Sequence, residues 1–323
     1  MLKKTSLGIL LLLALLIVIS YIVIGAKDKP LTDDVRAQAP GQFAQLTDGK
    51  LHYTWFEPTT ENANGQTVVM LHGLYVPQLM FISNAQALAG AGYRVLLVDH
   101  FGHGYSDRPS DDYTRAFFAR EVSEILEVVN IDGPIILAGQ SMGGLIATQF
   151  TAAHPEKIDR LILFVPAGLE MHGPDDNLGA KLLRTRVLGE WLWRVVGRKA
   201  ILAPPQPPCD VCGTGKLLDD VYEQAKYKGY FPAMLNILRN FSMRDQDIYF
   251  EQVGQSDVPV LAIFGERDET VHIDSAARFK KAMPNAQIII MPDGDHAMNI
   301  RHDAKVNAHV LAYLSAPQPA NGK

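Results

Sequence analysis

The hydrophobic and polar positions divide the chain into one long apolar run near the N-terminus and a later region where apolar runs alternate with polar segments. Residues 7–26 form a stretch of 20 positions without a charged residue, preceded by Lys3 and Lys4. As a helix this stretch would rise about 30 Å, which matches the hydrocarbon thickness of a bilayer. Because the apolar region of a signal peptide is shorter, roughly 7 to 15 residues, the pattern predicts an uncleaved membrane anchor over residues 1–26.

A second interpretation of the apolar run is a cleaved secretion signal ending at Ala26, although Ile24 departs from the small residue expected there. Either interpretation directs the chain to a membrane. Lys and Arg residues flank the run on both sides and do not decide its orientation, so the very short N-terminal tail is taken to indicate an extracytoplasmic folded domain. Residues 27–41 are polar, carry two prolines and predict a tether to that domain.

After residue 41, short aliphatic runs alternate with amphipathic segments. Asp48 and Gly49 separate two alternating stretches and predict a β-hairpin turn, because glycine supplies the positive φ that such a turn requires. Further strands are predicted at residues 67–71, 93–98, 134–138, 160–164, 258–264 and 286–291. Helices are predicted at residues 81–91, 113–129, 143–153, 275–283 and 303–314. This alternation predicts an α/β fold with a mostly parallel, doubly wound sheet covered by helices on both faces.

One interval, residues 166–256, breaks the alternation because it has no strong strand signal. Residues 181–196 and 221–238 carry apolar side chains at helical spacing, with prolines between the two segments. We therefore predict a helical cap inserted into the sheet domain. The sheet domain itself is predicted in two segments, residues 42–165 and 257–316. Residues 317–323 are predicted to form a short tail.

Composition and charge restrict the class of protein further. Hydrophobic residues make up 47% of the chain, charged residues 20%, and the formal net charge is -5. These values exclude a disordered polyelectrolyte and give no electrostatic case for binding nucleic acid. Cys209 and Cys212 are the two cysteines, too few for a disulfide-stapled scaffold or a four-thiolate zinc site. In an exported cap they predict a small structural disulfide, with a redox-active pair as the alternative in the cytosol.

The clearest chemical motif is the sequence Gly139-Gln140-Ser141-Met142-Gly143, which lies between a predicted strand and a predicted helix. A G-x-S-x-G turn needs glycine on both sides of the serine because the strained elbow leaves no room for side chains. The turn lifts the serine hydroxyl above the carboxyl edge of the sheet and leaves the backbone amide of Met142 free to donate. Ser141 is therefore the candidate nucleophile, and a turn in which it only caps the helix is the alternative.

A serine nucleophile needs a general base, and the base needs a carboxylate that fixes its tautomer. Asp268 and His296 each follow a predicted strand at its carboxyl end, and the chain order Ser, Asp, His is the one expected for this elbow. We predict Asp268 as the acid and His296 as the base. Glu266 and Glu269 beside the acid, and His302 after the base, are the alternatives.

An oxyanion hole is the remaining requirement of this chemistry. The segment His72-Gly73-Leu74 follows the strand at residues 67–71, where a second backbone amide is needed. The amides of Leu74 and Met142 are therefore the candidate donors to the oxyanion.

The loop at residues 99–107 contains two histidines near acidic residues, a composition that would also suit metal ligands. Interleaved glycines indicate a tight loop instead, and the sequence has no H-E-x-x-H or comparable metal signature. We therefore expect neither a metal nor a redox cofactor.

Residues 67–314 resemble the α/β-hydrolase fold superfamily. The segments HGLY, DHFGHGYSD, GQSMGG, FGERD and GDH match, in order, the oxyanion segment, the D-x-x-G-x-G-x-S loop, the nucleophile elbow, the acid turn and the histidine loop of that family. The resemblance implies this fold and a Ser-His-Asp triad. Cap-bearing esterases, monoacylglycerol-lipase-like proteins and C–C bond hydrolases are the most similar members. Haloalkane dehalogenases and epoxide hydrolases have an aspartate where Ser141 stands, which argues against those two classes.

These observations predict a serine hydrolase that cleaves an apolar or lipid-like carboxylic ester through an acyl-enzyme. Cap side chains at Leu188, Trp191, Leu192 and Trp193 are candidates to line an acyl pocket, although such a stripe is more often simple packing. A C–C bond hydrolase or an acyltransferase is the alternative within the same fold. A non-catalytic ligand receptor is the alternative from another class.

Overall fold

The computed structural model describes residues 2–59, 61–171, 178–198 and 222–317, and its centre is one sheet of eight strands. The strands are β1 (Gln42–Leu46), β2 (Gly49–Phe56), β3 (Thr67–Leu71), β4 (Arg94–Val98), β5 (Ile135–Gln140), β6 (Ile158–Phe164), β7 (Val260–Gly265) and β8 (Gln287–Met291). Their order across the sheet is β1-β2-β4-β3-β5-β6-β7-β8. The pairs β1–β2 and β2–β4 are antiparallel, and the other neighbouring pairs are parallel. The predicted mostly parallel sheet is confirmed.

The hairpin between β1 and β2 turns at the predicted place. Leu46 pairs with Gly49, whose φ of 138° lies in the region that favours glycine. The hairpin forms an antiparallel edge on an otherwise parallel sheet. The six later strands begin and end within two residues of their predicted bounds, because a buried parallel strand is a nearly continuous apolar run in the sequence.

Helices flank the sheet and build the cap. They are α1 (Leu2–Gly25), α2 (Asp33–Arg36), α3 (Ile82–Gly90), α4 (Arg115–Val128), α5 (Met142–Ala153), α6 (Leu178–Leu183), α7 (Arg186–Leu192), α8 (Tyr230–Asn240), α9 (Asp247–Gly254), α10 (Ser275–Ala282), α11 (Met298–Arg301) and α12 (Asp303–Ser315). Short 3₁₀ turns precede α3 and β6, at Gln78–Phe81 and Pro155–Lys157.

Two hydrophobic clusters cover the two faces of the sheet. Successive side chains of a strand point to opposite faces, and β3 shows this alternation. Val69 and Leu71 belong to the cluster that includes α4, α5, α9 and α10. Val68 and Met70 belong to the cluster that includes α3 and α12. The sheet is therefore buried on both sides, and its ends remain available for a functional site.

The cap differs from its predicted helices in detail. The helix predicted at residues 181–196 is divided, because α6 ends at Leu183 and Thr185 then caps α7 by accepting a hydrogen bond from the Gly189 amide at 3.0 Å. α7 continues into a π-helical turn at Trp193–Gly197. Among the described residues of the interval 166–256, none belongs to the sheet.

The second predicted cap helix, at residues 221–238, is interrupted. Residues 222–224 are helical, and α8 begins anew at Tyr230, because Gly229 before it has a φ of 93° that a helix does not accommodate. Cys209 and Cys212 lie outside the described residues, so the predicted disulfide stays a prediction.

The N-terminal helix α1 is 24 residues long and covers most of the residues predicted as the membrane anchor. In the described part of the chain, which leaves out the side chains of residues 1–7, 9, 10 and 13, no helix is long and apolar enough to cross a membrane.

The segment after α1, predicted as a tether, makes specific contacts with the cap and the core. The Asp28 side chain is 4% exposed and accepts hydrogen bonds from Arg194 at 3.2 Å and from Arg198 at 2.6 Å. Further along, Arg36 forms an ion pair with Asp107. The segment is thus packed against the folded domain at both of its ends.

Candidate active site

Ser141 lies at the turn between β5 and α5, in a strained backbone conformation. Its φ of 51° and ψ of -117° are unusual for a residue that has a side chain. The surrounding backbone holds this conformation, because the Ser141 amide donates to the Phe164 carbonyl at 3.0 Å. The Ser141 carbonyl accepts hydrogen bonds from the amides of Leu145 and Ala167, at 3.1 and 3.0 Å. This is the geometry of the predicted elbow.

The two glycines of the elbow are required by close approach of the backbone. A Cβ atom on Gly139 would collide with the carbonyl of Gly143. A Cβ atom on Gly143 would collide with the carbonyls of Leu71 and His72, which lie at the end of β3. The start of α5 therefore packs directly against the predicted oxyanion segment.

The structure brings the predicted acid and base together. His296 Nδ1 lies 2.8 Å from Asp268 Oδ2. The other carboxylate oxygen, Oδ1, accepts hydrogen bonds from the backbone amides of Thr270 and Val271 at 2.7 and 2.8 Å. An ionised carboxylate can accept hydrogen bonds at both of its oxygens, as Asp268 does here. With Nδ1 donating its proton to Asp268, Nε2 of His296 is left as the acceptor that a general base needs.

The alternative acids and the alternative base have other surroundings than Asp268 and His296. Glu266 and Glu269 are exposed, whereas Asp268 between them is buried. His302 stands before the first turn of α12, where its Nδ1 lies 3.8 Å from the carboxylate of Asp293. Geometry thus selects Asp268 from the three neighbouring acids as the partner of His296.

Gln140 connects the elbow to the histidine loop, a contact that the sequence did not reveal. Its side-chain amide donates to the backbone carbonyl of His296 at 2.9 Å, and the residue is 3% exposed. Because Gln140 precedes Ser141 directly, this bond fixes the histidine loop beside the nucleophile. A side chain that bonds a distant backbone carbonyl leaves no periodicity in the sequence, so no signal could have identified it.

The oxyanion segment lies beside the nucleophile. A Cβ atom on Gly73 would lie 3.3 Å from the Cβ atom of Ser141. Met142 is the first residue of α5, where an amide has no acceptor within the helix. Leu74 follows β3, which is the parallel neighbour of β5. Both predicted donors thus flank Ser141 at the carboxyl ends of adjacent strands.

Three buried histidines pack together next to this segment. The ring of His72 lies 4.6 Å from that of His100 and 4.8 Å from that of His103, measured between centroids. Burial, reinforced by the neighbouring imidazoles, lowers the pKa of His72 to about 3 and lowers that of His103 well below its ordinary value. Both rings are therefore neutral near pH 7. In the part of the chain that the structure describes, no group of three or more His, Cys, Asp or Glu side chains could hold a metal ion.

The cap side chains predicted to line one acyl pocket lie in different surroundings. Trp193 is buried, and its Nε1 donates to the Phe231 carbonyl at 2.8 Å. Trp191 faces α1 instead, where its Nε1 donates to the Ser20 hydroxyl at 2.8 Å. Leu188 is exposed. The two tryptophans therefore face different elements, α1 and α8, and do not share one lining.

Comparisons with known proteins agree with this fold. A family model described as the alpha/beta hydrolase fold matches residues 66–193, and a model described as TAP-like protein matches residues 239–323. A 2-hydroxy-6-oxononadienedioate/2-hydroxy-6-oxononatrienedioate hydrolase of Cupriavidus pinatubonensis is 27% identical over 84% of this chain and 94% of that protein. Lipase 1 of Psychrobacter immobilis is 26% identical over 73% of each chain.

Solved structures share the same architecture at lower sequence identity. The enol-lactonase from Burkholderia xenovorans LB400 superimposes with a TM-score of 0.69 at 21% identity, covering 85% of this chain and all (100%) of that one. An esterase from Exiguobacterium antarcticum gives a TM-score of 0.67 at 21% identity, with the same two coverages of 85% and 100%. These similarities establish the fold and leave the substrate open.

Proposed function

Because the chain belongs to the α/β-hydrolase fold superfamily, we propose that it is a serine hydrolase that cleaves carboxylic esters with a triad of Ser141, His296 and Asp268. The observation that carries this proposal is the 2.8 Å contact between His296 Nδ1 and the buried carboxylate of Asp268. Gln140, which directly precedes Ser141, donates a hydrogen bond to the His296 backbone and so ties the histidine loop to the strained elbow. A fold alone would support many chemistries, whereas an oriented imidazole beside an elbow serine suits acyl transfer.

The proposed reaction has two acyl-transfer steps. Ser141 Oγ attacks the ester carbonyl while its proton passes to Nε2 of His296, and the backbone amides of Leu74 and Met142 donate to the oxyanion that forms. Collapse of this intermediate breaks the ester C–O bond, and His296 gives its proton to the departing alcohol. Water then attacks the acyl-enzyme with His296 again as base, which releases the carboxylic acid and restores Ser141.

The proposed substrate is an ester with an apolar acyl group. The lipase from Psychrobacter immobilis and the esterase from Exiguobacterium antarcticum are relatives or neighbours whose names specify ester chemistry. The hydrolases of 2-hydroxy-6-oxononadienedioate among the relatives make C–C bond cleavage the second candidate.

We expect the full chain, purified in detergent, to hydrolyse p-nitrophenyl esters and monoacylglycerols but not a vinylogous diketone. Each buried methylene contributes about 0.8 kcal/mol, so kcat/KM should rise by roughly fourfold per methylene until the acyl pocket is full. Product release measured against acyl length checks this expectation, with the Ser141→Ala chain as the blank. Turnover of the diketone alone would replace the proposal by C–C bond hydrolysis. Tight binding of these compounds without turnover would favour a ligand receptor.

We further propose that α1 anchors the enzyme in a membrane with the catalytic domain on the extracytoplasmic side. Large apolar side chains along α1 are exposed, among them Leu11 at 62% and Ile22 at 61%. The cap, which α1 contacts through Ser20 and Trp191, also exposes Val187 at 80%. Exposed apolar side chains on both partners of one contact support burial of this surface in lipid.

The full chain is therefore expected to stay with the membrane fraction after extraction at alkaline pH, because an uncleaved apolar helix is held by burial in the bilayer and not by charge. Sedimentation after carbonate extraction, with N-terminal sequencing of the pelleted protein, checks this. The matched control is a chain that begins at Lys27, which keeps the contacts of Asp28 and Arg36 and should remain in the supernatant. A mature N-terminus at Lys27 would contradict the anchor and indicate a cleaved secretion signal.

A further inference from the structure

A chain of buried hydrogen bonds leads from α4 to the oxyanion segment. The side chain of Glu121 in α4 is hydrogen-bonded through Oε1 to His100 Nδ1, and its Oε2 accepts from the Phe101 amide at 2.7 Å. The His100 amide donates to His72 Nε2 at 3.0 Å, and His72 Nδ1 lies 2.7 Å from the Gly73 carbonyl oxygen. We infer that Glu121, His100 and His72 are positioning residues that aim the Leu74 amide at the oxyanion.

The first step of the argument is the tautomer of His72. A backbone amide can only donate, so His72 Nε2, which receives the hydrogen bond from the His100 amide, carries no proton. The proton of the neutral ring is therefore on Nδ1, where it is donated to the Gly73 carbonyl. His72 is completely buried, and burial lowers its pKa to about 3, so this single tautomer persists at neutral pH.

The second step is the geometry of the peptide that joins Gly73 to Leu74. The carbonyl of Gly73 and the amide N–H of Leu74 belong to the same planar unit, and in a trans peptide they point in opposite directions. A hydrogen bond that fixes the carbonyl oxygen therefore also fixes the direction of the N–H. Gly73 lies against Ser141, so this N–H belongs to the immediate surroundings of the nucleophile.

The third step is the carboxylate at the far end of the chain. Glu121 is 1% exposed, and a buried carboxylate costs more free energy than an apolar side chain of similar size unless it is fully hydrogen-bonded. Its two oxygens hold the ring of His100 and the amide of Phe101, so they fix the turn from which the His100 amide reaches His72. Glu121 thus acts on the oxyanion segment through two intermediate residues.

The inference rests on the proposed esterase function, and it is tested first with two variants that nearly keep the side-chain volume, His72→Leu and Glu121→Gln. We expect His72→Leu to lower kcat on the order of 100-fold with little change in KM, as loss of one oxyanion donor does elsewhere. Glu121→Gln should lower kcat by about tenfold, as loss of a supporting partner does. His72→Asn should recover part of the loss, because its amide nitrogen can donate to the Gly73 carbonyl. Glu127→Gln, an exposed glutamate of the same helix, is the matched control.

The decisive measurement is the rate ratio between a p-nitrophenyl ester and the corresponding thionoester. Sulfur accepts hydrogen bonds weakly, so a well-aimed amide favours the oxygen ester, and the ratio should fall in His72→Leu and Glu121→Gln. A purely structural role would reduce both rates equally and leave the ratio unchanged, which would overturn the inference.

A second measurement separates this inference from the proposed function. The rate constant for labelling Ser141 with a fluorophosphonate also depends on donors to the developing negative oxygen, and it requires no turnover. A wild-type chain that is labelled but hydrolyses no ester would overturn the proposed function alone. Equal labelling rates in the wild type, His72→Leu and Glu121→Gln would overturn the inference, whatever the substrate is.

Discussion

Ser141→Ala is expected to lower kcat for ester hydrolysis by about a million-fold and to abolish covalent labelling by a fluorophosphonate. The substitution removes the only atom of the elbow that can form the acyl-enzyme, while the oxyanion donors and the binding surfaces remain. Steady-state kinetics and mass spectrometry of the labelled peptide measure the two effects. Alanine is smaller than serine, so the variant introduces no steric clash at this buried position, where Ser141 is 5% exposed. The backbone hydrogen bonds to Phe164, Leu145 and Ala167 do not involve the serine side chain and should remain.

The control for this variant is Ser315→Ala, which changes an exposed serine at the end of α12. It should be labelled and should hydrolyse esters like the wild type. A fluorophosphonate adduct on a serine other than Ser141 would contradict the assignment of the nucleophile. Thermal unfolding of both variants distinguishes lost chemistry from lost structure.

The central strands of the sheet could be predicted from the sequence because they are buried on both faces. Residues 68–71 are all apolar, and β3 has the predicted bounds of residues 67–71 in the structure. The hairpin at Gly49 was predicted for a related reason, since the positive φ of the turn selects a residue that the sequence displays directly. Local conformational requirements of this kind are visible in a single sequence.

The cap was less predictable because its helices end for reasons that periodicity does not contain. Thr185 accepts a hydrogen bond that begins a new helix within an apolar stripe, and Gly229 interrupts the second predicted helix before α8. The contact between Trp191 and Ser20 joins residues that are far apart in the chain. The surroundings of such a side chain depend on the distant element that it contacts, and the helical repeat of its own segment does not indicate that element.

Some residues of the candidate site could likewise be predicted from the sequence, and others could not. Ser141, Asp268 and His296 could be named because each follows a strand at the carboxyl edge of a parallel sheet, where topology brings such residues together. Gln140 and Glu121 could not be assigned roles, since their partners are backbone atoms and a buried ring brought near by folding. Tertiary hydrogen bonds of this type have no signature in spacing or composition.

Asp268→Asn is expected to lower kcat/KM by about ten-thousand-fold while the fold is retained. In the wild type, Oδ1 of Asp268 accepts from the amides of Thr270 and Val271, and Oδ2 faces His296 Nδ1. An asparagine keeps the first two bonds only if its carbonyl oxygen takes the Oδ1 position, which turns its NH₂ group toward His296. The imidazole must then accept at Nδ1 and carry its proton on Nε2, where it can no longer accept the proton of Ser141.

The matched controls for Asp268→Asn are Glu266→Gln and Glu269→Gln, which remove a carboxylate from the same turn at exposed positions. Both should retain kcat/KM near that of the wild type, because neither side chain is buried against His296. Urea unfolding should show similar midpoints for all three variants, since the two backbone amides at Thr270 and Val271 keep an acceptor. Loss of activity in Glu266→Gln or Glu269→Gln, with Asp268→Asn near the wild type, would require a different acid and a different arrangement of the turn after β7.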